Sequence, residues 1–247
     1  MSSKIFKKIA GILGYKLSEK NFVKNTRLLS VNSTINLKNI LENLFKKKLI
    51  NSIIQIGAND GDQFDHLGLF IKKYNTKSIL VEPITEHFEQ LKKNYQLQTN
   101  IIFENFAISE NNELKNIYSV KKKFRQIYGS HAKAISSFDI NHLKKHSIKK
   151  NHIEKISINT ISLKELINKH NFFNFDLLFI DAEGYDGEIV LNFFKNNLKC
   201  KILIFEYIHI NNKIFKELID ILLKNNYKFF AVNENLICLD SNIIIDI

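Results

Sequence analysis

Apolar residues fall at helical spacing in the first fifty positions and then change period. Ile5, Phe6, Ile9, Ala10, Ile12 and Leu13 recur at i, i+3, i+4 intervals with Lys4, Lys7 and Lys8 between them, which predicts an amphipathic helix with a basic face. Such a helix either packs on a domain's flank or rests on an anionic membrane surface. Leu37, Ile40, Leu41, Leu44 and Phe45 repeat the pattern, and Lys46, Lys47 and Lys48 close it with charges that suit a helix C-terminus.

From residue 52 short apolar runs alternate with helical periods. Strands are expected at Ser52–Gly57, Ser78–Val81, Asn100–Phe103, Lys155–Ile161, Phe175–Asp181 and Ile202–Ile208. Helices are expected between them at Asp62–Tyr74, Glu86–Tyr95, Ser162–His170, Glu188–Asn196 and Lys213–Lys224. Tyr227–Val232 and Leu236–Leu239 read as a terminal antiparallel hairpin. Strands alternating with helices of this length build a mostly parallel, doubly wound α/β sheet. The domain is expected over residues 50–247, with a helical extension over residues 1–49. Between Lys121 and Lys150 the pattern lapses into Lys, His and Ser. That is long for a plain loop, so the segment is a lid or a partly disordered insertion.

Composition narrows the class. At 247 residues the chain can bury a core without metals or disulfides. No uncharged apolar run reaches the roughly 18 residues a membrane helix needs, and no signal-peptide pattern opens the sequence. The two cysteines, Cys200 and Cys238, fit a reducing compartment. A soluble cytoplasmic protein is expected, with peripheral membrane contact through the basic helix as an addition. The net charge of +11 suggests an anionic partner, but only Arg27 and Arg125 of the 36 basic residues are arginine. Phosphate and base recognition favours arginine's planar fork, so nucleic acid is not the expected partner.

The chemistry gathers where the scarce special residues do. Half of the eight glycines fall in two segments, Gly57/Gly61 and Gly184/Gly187. In IIQIGANDGDQF the glycines end a buried strand, where backbone can approach a ligand. The spacing is G-x-N-x-G, not the G-x-G-x-x-G of a dinucleotide site, and Asp60 and Asp62 would repel a diphosphate. The same acids suit a ligand carrying an ammonium and a sulfonium charge, as S-adenosylmethionine does. Glu82, followed by the single proline Pro83, lies near the roughly 20-residue offset at which an acid bonds ribose hydroxyls. In LLFIDAEGYDGEIV, Asp181 ends a central strand and Glu183 follows, a carboxylate pair able to orient a hydroxyl, take its proton or hold a metal. Asp181 also has the position of a helix cap. Glu206 and His209 end the IFEYIHI strand at the same sheet edge. His142 and His146 have the i, i+4 spacing of a metal pair, but the sequence shows no third ligand, and no metal is expected.

The glycine turn, Glu82-Pro83, ENFAIS (Glu104–Ser109), SSF (Ser136–Phe138) and DAEGYDGEIV together resemble the FkbM family of S-adenosylmethionine-dependent methyltransferases. The resemblance runs over about residues 50–240, and DAEG is its most specific part. It implies a class I, Rossmann-like methyltransferase fold and O-methylation of sugars or sugar-bearing molecules. It places Gly57, Asn59 and Gly61 along the methionine portion of the cofactor, Glu82 and Pro83 at the ribose, and Asn105 and Ala107 at the adenine. It makes Ser136 and Ser137 substrate-binding, and Asp181, Glu183 and Gly184 the acidic motif, with Asp181 first choice for the catalytic group and Glu183 and His209 behind it. Gln55 departs from the acid that methyltransferases often carry for the cofactor's amino group, a contact Asp60 would then supply. The expected acceptor is a glycan, sugar nucleotide or glycosylated small molecule. The alternatives are an RNA or protein methyltransferase, a nicotinamide-dependent oxidoreductase, and a binding module that keeps the fold without turnover.

Overall fold

The computed structural model describes residues 16–17, 23–24, 36–63 and 65–243. The predicted helix over residues 4–13 lies outside them, as does Arg27. Lys16–Leu17 and Val23–Lys24 form a short antiparallel pair. The second predicted helix is α1 (Leu37–Lys46), capped by the Asn36 side chain, which accepts from Asn39 N at 2.9 Å.

Parallel pairing needs crossovers, and the alternating pattern supplies them. Strands β1 (Ser52–Ile56), β2 (Lys77–Val81) and β3 (Ile101–Glu104) are joined by helices α2 (Gly68–Tyr74) and α3 (Thr85–Asn94). After an insertion, α5 (Leu163–Lys169), β8 (Leu177–Ile180), α6 (Asp186–Lys195), β9 (Ile202–Glu206), α7 (Asn212–Lys224) and the hairpin β10 (Tyr227–Val232)–β11 (Asn235–Asp240) complete the unit. Among the described residues these strands form one sheet in the order β10-β11-β9-β8-β1-β2-β3. The five strands from β9 to β3 run parallel, and β11 pairs antiparallel with both β9 and β10. The order reverses between β1 and β8, so a crevice opens at their carboxyl ends, where sheets of this kind bind ligands.

Each central strand is buried on both faces, which is why it reads as an unbroken apolar run. In β8, Leu178 and Ile180 pack with α5, α6 and α7, while Leu177 and Phe179 pack with α1, α2 and α3. The sheet is therefore covered by three described helices on each side, which is the doubly wound class I arrangement. The hydrophobic stripe of α1 belongs to the same core as β1 and β8.

Two expectations change. The helix expected over Asp62–Tyr74 begins only at Gly68. Ahead of it, Asp60 Oδ1 accepts from the backbone N–H groups of Asp62 and Gln63, and Asp65 Oδ1 from Leu67 N. Side chains that bond the backbone locally compete with the helix, and they win here. The strand expected at Lys155–Ile161 exists but belongs to a second sheet. Strands β4 (Ala107–Ile108), β5 (Leu114–Val120), β6 (Ser136–Ser137) and β7 (Ile153–Ile161) assemble in the order β4-β7-β5-β6, with β5 antiparallel to both neighbours. Only a parallel continuation was expected, because β5 has mixed burial and no clean alternation.

The segment 121–150 is folded. It comprises 3-10 turns at Lys122–Tyr128 and Ser130–Lys133, then β6, and helix α4 (Ile140–Lys145), capped by the Asp139 side chain. Val120, Ala132, Ile135, Leu143, Ile148 and Ile153 give it a small core of its own. Arg125 ties it to the main domain: Nε donates to Val120 O at 3.0 Å and Nη1 meets Glu86 Oε2 at 3.0 Å. That arginine is buried, so it offers nothing to a phosphate.

Candidate active site

The crevice is a cavity of about 600 Å³, a size suited to a nucleoside-sized ligand. One wall is the switch point of the sheet; the other is the inserted layer with Ile135, Ser136, Ser137 and Phe138.

Gly57 turns the chain at the end of β1. Its φ is +79°, and a Cβ would stand 1.9 Å from the Asp181 carbonyl oxygen. The carboxyl ends of β1 and β8 can approach this closely only because no side chain separates them. The backbone then donates from Gly57 and Ala58 to Val81 O, at 2.9 and 3.0 Å, fastening the turn to β2. Asn59 follows with φ +47°, and its N–H donates to Glu82 Oε2 at 3.0 Å. Gly61 lies outside the cavity lining, where a Cβ would strike the Tyr95 ring and Leu91.

Glu82 lies at the end of β2 and lines the cavity. Its Oε1 accepts from Ile84 N at 2.8 Å, so both oxygens are anchored by backbone and retain lone pairs for a ligand. Burial nevertheless pushes its carboxyl up to about 7, against the pull of those two N–H groups. Pro83 and Ala107 line the cavity with Phe106 and Ile108. Asn105 lies outside the lining; its Nδ2 donates to the carbonyls of Glu82 and Pro83, at 2.8 and 3.1 Å, and braces this corner.

Gln55 and Asp60 also lie outside the lining. Gln55 is buried and donates from Nε2 to Asp65 Oδ1 at 2.7 Å. Asp60 is occupied with its own loop. The acid that faces the cavity beside Gln55 is Asp65, which sequence reasoning passed over because its region read as helix.

Asp181 follows β8 directly, and Asp181 N donates to Ile56 O at 3.0 Å. Burial first, then the neighbouring Glu183 and Asp186, raises its carboxyl well above the usual carboxylate range. Glu183 has φ +49°, an uncommon conformation for a residue with a side chain, followed by Gly184 at +94°. Two groups hold this turn. The buried Asp186 carboxylate accepts from Ala182 N at 3.3 Å and from Gly184 N at 3.2 Å, and Ser137 Oγ donates to Glu183 O at 2.8 Å. The role of Asp186 was legible only as the third acid of DAEGYD. Ser136 Oγ lines the cavity, is buried, and has no hydrogen-bond partner among the described residues.

His209, Glu206 and His146 complete the far end. Burial first, and then the neighbouring acids Asp181, Asp186 and Glu183, pushes Glu206 up to about 9. His209 Nε2 is 3.5 Å from Glu206 Oε1, and His142 Nε2 is 3.0 Å from Glu183 Oε2. Six carboxyl groups line the cavity (Asp65, Glu82, Asp181, Glu183, Glu206, Glu234), and no described lysine or arginine does. The protein carries a net charge of +11, yet its cavity is acidic.

A strand order with a glycine turn and a strand-end acid around one cavity at the switch point defines a class I methyltransferase domain. The chain belongs to the FkbM methyltransferase family: the sequence model of the Methyltransferase FkbM domain matches residues 55–229. Among solved structures it is similar to methyltransferase FkbM from Methylobacillus flagellatus KT, at 11% identity and a TM-score of 0.46, over 77% of this chain and 44% of that one. The chain thus spans less than half the length of that relative. It is also similar to a human methyltransferase 10 domain containing protein, at 10% identity and a TM-score of 0.42, over 94% of this chain and 92% of that one. No curated protein sequence matches it. Among the described residues no helix is long and apolar enough to cross a membrane.

Proposed function

We propose that the chain is an S-adenosylmethionine-dependent O-methyltransferase whose acceptor is a sugar hydroxyl of a glycan, sugar nucleotide or glycosylated small molecule. The observation that carries this reading is that Glu82 and Asp181 face one cavity from the strand ends on either side of β1, with an acidic lining between them. The residues fit the cofactor. Glu82 offers anchored oxygens for ribose hydroxyls, Phe106, Ala107 and Ile108 an apolar wall for a base, and Asn59 and Asp65 polar groups toward an amino acid. The acidic lining favours a cationic sulfonium and opposes a phosphate, which weighs against RNA as the acceptor and, among the proposed acceptors, puts a sugar nucleotide behind an uncharged glycan or glycoside. When bound, S-adenosylmethionine supplies a methyl group activated by its sulfonium centre.

The chain's own residues orient the acceptor and manage its proton. Holding oxygen, methyl carbon and sulfur in line can supply roughly 7–11 kcal/mol of the barrier. Asp181 is the proposed group that binds the reacting hydroxyl and takes its proton, because its raised affinity for protons moves it toward the working pH. Glu183 stands behind it. Phe138 and Tyr185, edge to face with ring centroids 4.9 Å apart, line the acceptor side with Ser136. Mixed aromatic and hydrogen-bonding surface suits a polyhydroxylated ring.

Release of S-adenosylhomocysteine in an assay against sugar nucleotides and glycans tests the reaction, and calorimetry with S-adenosylmethionine tests the cofactor. Folded protein that binds neither S-adenosylmethionine nor S-adenosylhomocysteine would sink the proposal. Asp181→Asn is expected to keep cofactor affinity and lose turnover; equal loss of both would assign Asp181 to the cofactor or to the fold. Attachment of the 4–13 segment to anionic membrane belongs to the same proposal. Deleting residues 1–20 should abolish sedimentation with anionic vesicles and leave methyl transfer intact.

A further inference from the structure

We propose that His142, His146 and His209 form a binding site for one divalent transition-metal ion, Zn²⁺ or a close neighbour, with a coordination position open to the cavity. The three come from two places in the sequence. His142 lies in α4, His146 is the residue that ends it, and His209 follows β9 at the carboxyl edge of the main sheet. The inserted layer thus brings two imidazoles to a third held by the domain.

The geometry is close to that of a site. The ring centroids stand 4.9 Å (His142–His146), 4.6 Å (His142–His209) and 5.7 Å (His146–His209) apart. One nitrogen of each ring lies within 4.8 Å of the other two. Around a tetrahedral ion with bonds of about 2.0–2.1 Å the nitrogens would be about 3.4 Å apart, so each needs to move by less than about 1 Å. Small changes of χ angle cover that distance. Imidazole ligands select zinc, copper, nickel and iron over magnesium and calcium.

The surroundings suit an ion. The carboxyl groups of Glu183 and Glu206 contact His142 and His209 at 3.0 and 3.5 Å, and a divalent cation in the cluster would favour their ionised form. Carboxylates in contact with metal-binding imidazoles commonly orient them. His142 is buried, whereas His146 and His209 are half-buried and line the cavity. Three protein nitrogens with one side open is the ligand count of ions that bind a substrate oxygen, whereas structural ions are closed by four. An acceptor hydroxyl bound there would have its proton affinity lowered, which eases its transfer to a carboxylate.

Metal content tests the site without reference to methyl transfer. Full-length protein is stripped with a chelator, checked by circular dichroism, reloaded with Zn²⁺ or Co²⁺ and measured by mass spectrometry of the ion. One ion per chain and visible Co²⁺ bands of a low-coordinate nitrogen site are expected, and acetohydroxamate, an oxygen-donor probe, should shift those bands. His146→Gln and His209→Gln should each weaken binding by more than the roughly 10–100-fold that loss of an outer partner of a metal ligand costs. His152→Gln, just beyond the insertion and outside the cluster, should change nothing. Folded wild-type protein without stoichiometric metal, or metal binding indifferent to both cavity-side variants, overturns the site; bands that acetohydroxamate leaves unmoved overturn the open position. A chain that binds the ion but not S-adenosylmethionine would defeat the proposed function and leave this inference standing.

Discussion

The two walls of the cavity are built differently. The switch-point wall is fastened by backbone: the ends of β1, β2 and β8 bond one another, and the Glu82 carboxyl is anchored on the N–H groups of Asn59 and Ile84. The inserted wall pairs by backbone within its own small sheet, through β6 and β5, and side chains tie it to the first wall. A six-residue apolar core, the Arg125–Glu86 pair and single hydroxyl bonds such as Ser137 to Glu183 O hold it. Backbone fastening leaves little freedom for sequence, because a turn like that at Gly57 admits one residue. Side-chain fastening leaves identity open, which suits a wall facing a variable acceptor. On this division, damage to the first wall should be global and damage to the second local.

The largest effect is expected at Gly57. Gly57→Ala puts a Cβ against the Asp181 carbonyl oxygen at a φ that side chains avoid, and backbone cannot rotate away. Loss of about 4 kcal/mol or more in urea denaturation is expected, with cofactor binding lost as well. A variant of near wild-type stability would show that the two strand ends are not held together as described. Leu143→Ala is the matching test of the insertion. Leu143 is fully buried in the small core, and its truncation should cost about 2–3 kcal/mol, the low side for leucine because a small core can collapse. Hydrogen exchange should accelerate over 121–153 and stay slow in β1 and β8. Acceleration in both would make the two walls one cooperative unit.

The contrast also accounts for what the sequence could and could not disclose. The parallel strands, the terminal hairpin and the helices α3, α5, α6 and α7 are legible, because strands buried on both faces are apolar throughout. Gly57, Glu82 and Asp181 are legible because a parallel sheet of alternating units has its ligand end fixed in advance. The inserted layer is not. β5 and β7 are half exposed, their pairing is antiparallel across a long gap in sequence, and β6 has two residues. Asp65 was hidden by a helical period that local side-chain bonds override. His209 could be placed at the sheet edge, but nothing in the spacing of His142 and His146 points to it, since only the fold brings α4 over that edge.

Glu82 offers a test of the first wall by pH. Its folded carboxyl is raised to about 7 from an ordinary value of 4.5, so between those values the native state holds a proton that the unfolded chain has released. Stability from this group is therefore complete below about 4.5 and is lost as pH rises through about 7. Glu82→Gln should remove that window: the wild type should lose stability relative to the variant across pH 4.5 to 7. At pH 7.5 the same change should weaken S-adenosylmethionine by about 1–3 kcal/mol through lost charge-assisted bonds, with the fold intact. Parallel stability profiles would mean that Glu82 titrates normally.

The smallest effect separates two adjacent serines. Ser137 Oγ donates to Glu183 O and accepts from Asp139 N at 3.3 Å, so Ser137→Ala removes a tie between the insertion and the acidic turn. That should cost about 1 kcal/mol and lower turnover by loosening Glu183. Ser136 Oγ is buried without a described partner, and its removal leaves no group newly unsatisfied. Ser136→Ala should therefore alter stability by less than about 0.5 kcal/mol in either direction. If the hydroxyl waits for an acceptor, the apparent KM for that acceptor should rise several-fold while kcat and cofactor affinity hold. Kinetics unchanged by Ser136→Ala would remove it from the acceptor side and leave Phe138 and Tyr185 as the insertion-side contacts to examine. A fall in turnover for Ser136→Ala matching that of Ser137→Ala would instead mean that both serines serve the turn, and that the inserted wall is fixed as tightly as the wall it faces.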